Sequence, residues 1–222
     1  MTDKTLKYYG WGYAEDGLSA DDTRSLLNTF SEGFGIEPSR DRAFPTIDAI
    51  ELPTPKLDAP AKLSKICTTD KHDRVVHSFG QSQPDSIRIY NGDFDHAVDL
   101  VAYPETNEDI AAIYDWAGDA NAAVIPFGGG SSVVGGVTSD VGSKYNGVIS
   151  VDMTRMDKVL EVDTVSRAAR IQGGARGPAL EAQLKPHGLT LRHFPQSFEH
   201  STFGGWIATR SGGHFATLYT HI

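Results

Sequence analysis

Val124 to Val137 reads VIPFGGGSSVVGGV, with five glycines and two serines behind a short apolar run. Gly128, Gly129 and Gly130 carry no Cβ, so the main chain there is open to angles closed to other residues and to close approach by a ligand. Successive N–H groups in such a turn make a concave nest for phosphate oxygens. Ser131 and Ser132 add hydroxyl donors. The chemistry on offer is anion binding by backbone amides, and a phosphate-bearing cofactor is the ligand class it suits. A Walker loop would need Lys after its last glycine, but Gly136 follows Gly135. The dinucleotide fingerprint needs a third glycine on a helical turn, where Val133 stands. The pair Val133-Val134 before Gly135-Gly136 disfavours a helix there. A glycine-rich hairpin between two buried strands is the bland alternative.

A second polar segment lies at Pro195 to Thr202, PQSFEHST, followed by Gly204-Gly205 and then Thr209-Arg210-Ser211-Gly212-Gly213. Hydroxyls and glycines beside a first cradle suit the other side of a pyrophosphate. Arg210 is open to two roles, a phosphate partner or half of a structural salt bridge. Trp206 reads as core.

These segments need elements to hold them. Val98 to Tyr103 reads as a strand ending at Pro104. Thr106 then caps a helix through Asn107, Glu108 and Asp109, whose acidic residues suit the first turn. Ile110, Ile113, Tyr114 and Ala117 are expected on one helical face, Asn121 closes the helix, and Ala122 to Ile125 delivers the glycine loop. That order is a βαβ unit. Gly147 to Met153, Lys158 to Asp163 and Ala168 to Gln172 read as further strands. Pro178 opens a short helix over Ala179 to Lys185 that stops before Gly188, and Leu189 to His193 is expected to be extended.

Upstream, Tyr8, Tyr9, Trp11 and Tyr13 form an aromatic cluster expected to serve as core or lid packing. A helix is predicted after the cap Ser19, with Leu26, Leu27 and Phe30 on its apolar face. Phe44 to Pro60, with prolines at 45, 53, 55 and 60, reads as an extended linker or a packed irregular arm. Arg74, His77 and Ser78 to Ser82 read as solvated loop, and so does the stretch holding His72 and His77.

The run AYPETNEDIAAIYDWAGDANAAVIPFGGGSSVVGGV resembles the opening of the flavin-binding domain of the vanillyl-alcohol oxidase / p-cresol methylhydroxylase superfamily. HFPQSFEHSTFGGWIATRSGG, KYYGWGYAEDG and RVVHSFGQSQPDSIRIYNG are similar to segments of the alkyldihydroxyacetonephosphate synthases and their bacterial FAD-linked oxidase relatives. The resemblance implies an α+β fold: an FAD-binding domain of the p-cresol methylhydroxylase type, two small α/β subdomains around the cofactor, preceded by a partly helical N-terminal region. The expected division is an arm over 1–60, a connecting segment over 61–95 and the FAD-binding domain over 96–222, continuing beyond. It implies non-covalent FAD held by Pro126, Phe127, Gly128, Gly129, Gly130, Ser131 and Ser132, by Gln196, Ser197, Phe198, Glu199, His200, Ser201 and Thr202, and by Thr209, Arg210, Ser211 and Gly212. Gln196 stands where the synthases typically carry Asp. His214 after Ser-Gly-Gly superficially matches a motif in which His is bonded to flavin. There, however, the glycines belong to the first phosphate loop, a place filled here by Gly128 to Gly130.

The reaction implied is exchange of an acyl group for a long-chain alkyl group, in ether-lipid synthesis. An FAD-linked oxidase or dehydrogenase of a hydroxy acid or alcohol, and a non-catalytic flavin-binding subunit, are the alternatives. No catalytic residue is assigned, since the family's catalytic groups lie further on. The run ATLYTHI, without cap or turn signal, is expected to continue, so the 222 residues read as the N-terminal portion of a longer flavoprotein.

A net charge of −9 argues against nucleic acid as partner. The expected partner is a small-molecule or lipid-like substrate, with a second copy in a homodimer as a further candidate. No run approaches the length of a membrane span. The eight histidines show no paired metal-ligand spacing, so no metal is expected. The single cysteine, Cys67, reads as packed and inert, and with MTDKTLKYY at the start a cytoplasmic location is expected.

Overall fold

A computed structural model describes residues 5–36, 43–214, 216 and 221–222. Two sheets carry the architecture. The larger has four strands: β1 (Cys67–Thr68), β2 (Leu100–Ala102), β3 (Ala122–Phe127) and β4 (Gly147–Asp152), in the order β1-β2-β4-β3. β1 runs antiparallel to β2, and β2, β4 and β3 are parallel. The smaller sheet is a hairpin of β5 (Val159–Asp163) and β6 (Ala168–Ile171).

The predicted strand-helix-strand unit is present, with one change: β4 sits between β2 and β3. All three parallel strands run apolar, as strands covered on both faces do. The helix between β2 and β3, spanning Asn107–Asp119, starts where the sequence places it. Thr106 accepts from the Asp109 N–H while Asp109 reaches back to the Thr106 N–H, closing a capping box. Ile113 and Ala117 are buried against Leu100, Ala102, Ile149 and Val151. Tyr114 is exposed, because one residue past Ile113 turns the side chain by about 100°. Trp116 packs against the core in its place.

Two corrections concern segments read as loop or strand. In order along the chain, the helices are α1 (Ala20–Phe34), α2 (Lys71–Val76), α3 (Gln83–Asn91), α4 (Asn107–Asp119), α5 (Gly177–Leu184) and α6 (Phe203–Ala208). His72 lies in α2 and His77 is its C-cap; Arg74, His77, Ser78 and Ser82 are buried, not solvated. Their polar groups find partners inside: the Arg74 Nε–H donates to Val98 O at 2.7 Å and its other arm to Pro53 O at 2.7 Å. Leu189 to His193 forms no strand, since Arg192 takes a left-handed φ of 55°; Leu189 and Leu191 instead pack on the cluster of Ala175, Leu180, Leu184 and Trp206. α1 has its Ser19–Asp22 capping box, yet no residue of α1 is buried among the described residues.

Phe44 to Pro60 is a packed irregular arm with one short 3-10 turn at Ile47–Ala49. Ile50 joins Val75, Phe79, Ile89 and Phe94 in one core, and Leu57 joins the core under α4. The four aromatics upstream pack as expected: Tyr9 stacks on Phe44 at 4.1 Å, Tyr8 meets Tyr9 edge-on, Trp11 lies 6.1 Å from the His200 ring, and the Arg176 guanidinium sits over Tyr13.

Candidate functional site

β3 ends at Phe127 and the chain turns through Gly128, Gly129 and Gly130, the last with φ +62°. The turn has no room for side chains. A Cβ on Gly128 would overlap the Thr202 hydroxyl, one on Gly129 would overlap the His200 carbonyl oxygen, and one on Gly130 would lie 2.6 Å from Phe127 Cζ. The glycine loop is therefore pressed main chain to main chain against the second polar segment. Among the described residues, the N–H groups of Gly129, Gly130, Ser131 and Ser132 donate to no protein acceptor. Unspent amides lining a cleft are the donor set an anion needs.

Ser132 shapes the far side. Its hydroxyl oxygen accepts from the Gly136 N–H at 2.9 Å, and its carbonyl accepts from the Gln81 N–H at 2.6 Å. Opposite, Pro195 to Ser201 coils in tight turns, with the Ser201 hydroxyl donating to Ser197 O at 2.8 Å and accepting from Trp206 Nε1–H at 2.6 Å. Trp206 is 2% exposed, so it is core, as expected, and also the wall behind the hydroxyls. His193 lies 5.1 Å from the Trp206 ring, and its Nε2 is 3.2 Å from Ser211 Oγ. Burial, with His221 adding to it, pushes the His193 imidazole below its usual value.

Between these walls lies a cleft of about 310 Å³. Of the residues singled out from sequence, it is lined by Pro126, Gly128 to Ser132, Ser197, Ser201, Thr202, Thr209 and Ser211. Phe127 lies buried beneath the loop. Phe198 packs on Gly177 and Trp206. His200 contributes its carbonyl to the Gly129 contact, while Gln196, Glu199, Arg210 and Gly212 are exposed and outside the cleft lining. Arg210 makes no ion pair with a described residue, so its role as a structural salt bridge finds no support. His214 is exposed and does not line the cleft.

Sequence reasoning missed part of the lining. Val133, Val134 and Val137 close one rim and Gly205 and Ala208 the other. Val133 and Val134 are 60% and 81% exposed, and two β-branched residues beside a polar loop were the available signal. Asp70, His72 and Asp73 bring three possible metal-ligand atoms within 4.8 Å of one another. Asp70 spends an oxygen capping α2, and Asp73 accepts from Tyr103.

A glycine turn without room for Cβ atoms, delivered by a parallel strand and facing a hydroxyl-rich wall, defines a nucleotide-cofactor domain. The family described as FAD binding domain matches residues 98–222, and the chain belongs to it. The fold is that of the p-cresol methylhydroxylase type, and FAD is the cofactor of the family. The alkyldihydroxyacetonephosphate synthase of Dictyostelium discoideum is 42% identical over 153 residues, 69% of this chain and 25% of that protein. The Caenorhabditis elegans enzyme of the same name is 31% identical across 99% of this chain and 40% of its own length. A solved alkyldihydroxyacetonephosphate synthase superposes with a TM-score of 0.82 at 31% identity, covering 98% of this chain and 45% of that one. The chain thus spans between a quarter and a little under half the length of these relatives.

Proposed function

We propose that this chain is the FAD-holding portion of a flavoenzyme resembling alkyldihydroxyacetonephosphate synthase, which exchanges an acyl group for a long-chain alkyl group on a lipid-like substrate in ether-lipid synthesis. The observation that carries the reading is the glycine turn at Gly128–Gly130, excluded from bearing side chains by Thr202, His200 and Phe127, with its amides unspent. Pro126 to Ser132 would hold the diphosphate from one side, and Gln196 to Thr202 with Thr209 to Gly212 would hold the nucleotide from the other. FAD supplies the redox-active ring when bound. The protein's own part is to fix that ring, exclude water and present hydroxyl donors. We take the domain as 96–222, preceded by an arm over 1–60 and a connecting segment over 61–95.

Purified protein should be yellow, and acid precipitation should release the flavin into the supernatant. Colourless protein that takes up no added FAD would overturn the cofactor assignment. In the full-length flavoenzyme with FAD bound, release of a fatty acid when an acylated glycerone phosphate meets a long-chain alcohol is the expected activity. Anaerobic reduction by a 2-hydroxy acid without any fatty acid released would make it a dehydrogenase instead. We read the protein as cytoplasmic, with a second copy of the chain as a candidate partner. A single cysteine, with no second one in these residues to pair with, supports the first, and the apolar side chains of α1, unburied among the described residues, support the second. Among the described residues, no helix is long and apolar enough to cross a membrane.

A further inference from the structure

We propose that the five-residue turn His77–Gln81 is the positioning element of the phosphate cradle. It sets the glycine loop in its binding geometry before cofactor arrives, His77 acting through Phe127 and Gly80–Gln81 through the Ser132 carbonyl. The inference rests on the reading that the glycine loop takes the FAD diphosphate. None of the five residues lines the cleft.

His77 is 1% exposed, and both ring nitrogens are engaged. Nδ1 lies 2.7 Å from Asp73 O and Nε2 lies 2.8 Å from Asp152 Oδ2. Each ring nitrogen faces an acceptor, and a flip of the ring would take both nitrogens away from their partners. Asp152 is fixed in turn: its other oxygen accepts from the Thr154 N–H at 2.7 Å and the Thr154 hydroxyl at 2.5 Å. Asp152 stands opposite Phe127 in the β3–β4 register, and the His77 ring lies 4.3 Å from the Phe127 ring. The tip of the Phe127 ring comes within 2.6 Å of where a Gly130 Cβ would be. His77, Phe127 and Gly130 thus follow one another in contact, the two rings tilted by 48° and the left-handed Gly130 at the tip of the Phe127 ring.

The rest of the turn grips the loop from the flank. The Gln81 N–H donates to Ser132 O at 2.6 Å, and a Cβ on Gly80 would lie 2.6 Å from that same oxygen. The Ser78 carbonyl accepts from both the N–H and the hydroxyl of Ser139, each at 2.9 Å. The loop is therefore tied at its start, middle and end to one short stretch of chain. A glycine-rich loop loses more freedom on ordering than any other, and a scaffold that orders it beforehand removes that cost from binding.

The test is FAD and ADP affinity of the apoprotein, since both ligands share the diphosphate. Gly80→Ala pushes on the Ser132 carbonyl. His77→Gln keeps a donor for Asp152 but removes the ring under Phe127. Each should raise the Kd for FAD and for ADP by the same factor, about tenfold or more, while the apoprotein's unfolding midpoint moves by only a few degrees. Either variant decides the question if the other does not fold. Folded variants with unchanged Kd for both ligands overturn the inference and leave the cradle reading standing. Wild-type apoprotein that takes up neither ligand overturns the cradle reading itself. Hydrogen exchange of wild-type apoprotein needs no variant: the Gln81 amide should be protected before FAD is added. Fast exchange there that slows only with FAD overturns prior ordering.

Discussion

The main chain of Gly129 lies against the His200 carbonyl so closely that a Cβ on Gly129 would overlap its oxygen and sit 2.7 Å from its carbon. Two segments some seventy residues apart share one wall only because Gly129 has no side chain. Gly129→Ala forces them apart. The expected result is loss of FAD retention through gel filtration and a stability loss of about 1–3 kcal/mol, the scale of overpacking a tight contact. Urea unfolding of the apoprotein checks the second figure. Undiminished FAD binding in that variant would remove the glycine turn from the site.

How much of this was legible depends on how local the signal is. The Thr106–Asp109 capping box lies within four residues of chain, and the helix it starts is where the letters place it. The insertion of β4 between β2 and β3 is a pairing across tens of residues, and no local pattern encodes it. His77 and its neighbours failed for a related reason. Polar letters suggest solvent, yet His77 meets Asp152 75 residues away and is buried with it. The tightness of the glycine turn was readable because glycine type alone reports where a side chain is forbidden. Val133 and Val134 were read only for what they exclude, so their place on the rim went unseen.

Asp99 joins the irregular arm to the central strand. One oxygen accepts from the Lys56 N–H and the other from the Val148 N–H, both at 2.7 Å. It also faces Arg74, whose guanidinium is pushed below its usual value by burial and partly restored by Asp99. Asp99→Ala strands two N–H groups and removes the negative charge facing the buried Arg74. A loss of about 3 kcal/mol is expected in denaturant unfolding, with Asp99→Asn losing roughly half of that because one carbonyl acceptor remains.

Cys67 is the only thiol in the chain, and burial pushes it up to about 11. Little of it is thiolate at neutral pH, and the thiolate is the nucleophile. Alkylation by iodoacetamide at pH 8 should run at least about tenfold slower than that of free cysteine. It should reach the free rate only in denaturant. A fast reaction in the folded protein would show the strand β1 edge to be open.

His193 gives stability a pH dependence of known sign. Its folded value lies below the ordinary 6.5, first through burial against Trp206 and then through the nearby His221. The unfolded chain therefore binds a proton at pH values where the folded chain does not, and stability rises with pH across that window. The contribution is complete above 6.5 and is lost as pH falls from 6.5 toward the folded value, where it levels off. Unfolding free energies measured from pH 7.5 down to pH 5 should show this slope, and His193→Gln should flatten it. Titration of the His193 ring proton by NMR gives the folded value directly, and a value at or above 6.5 would contradict the burial argument.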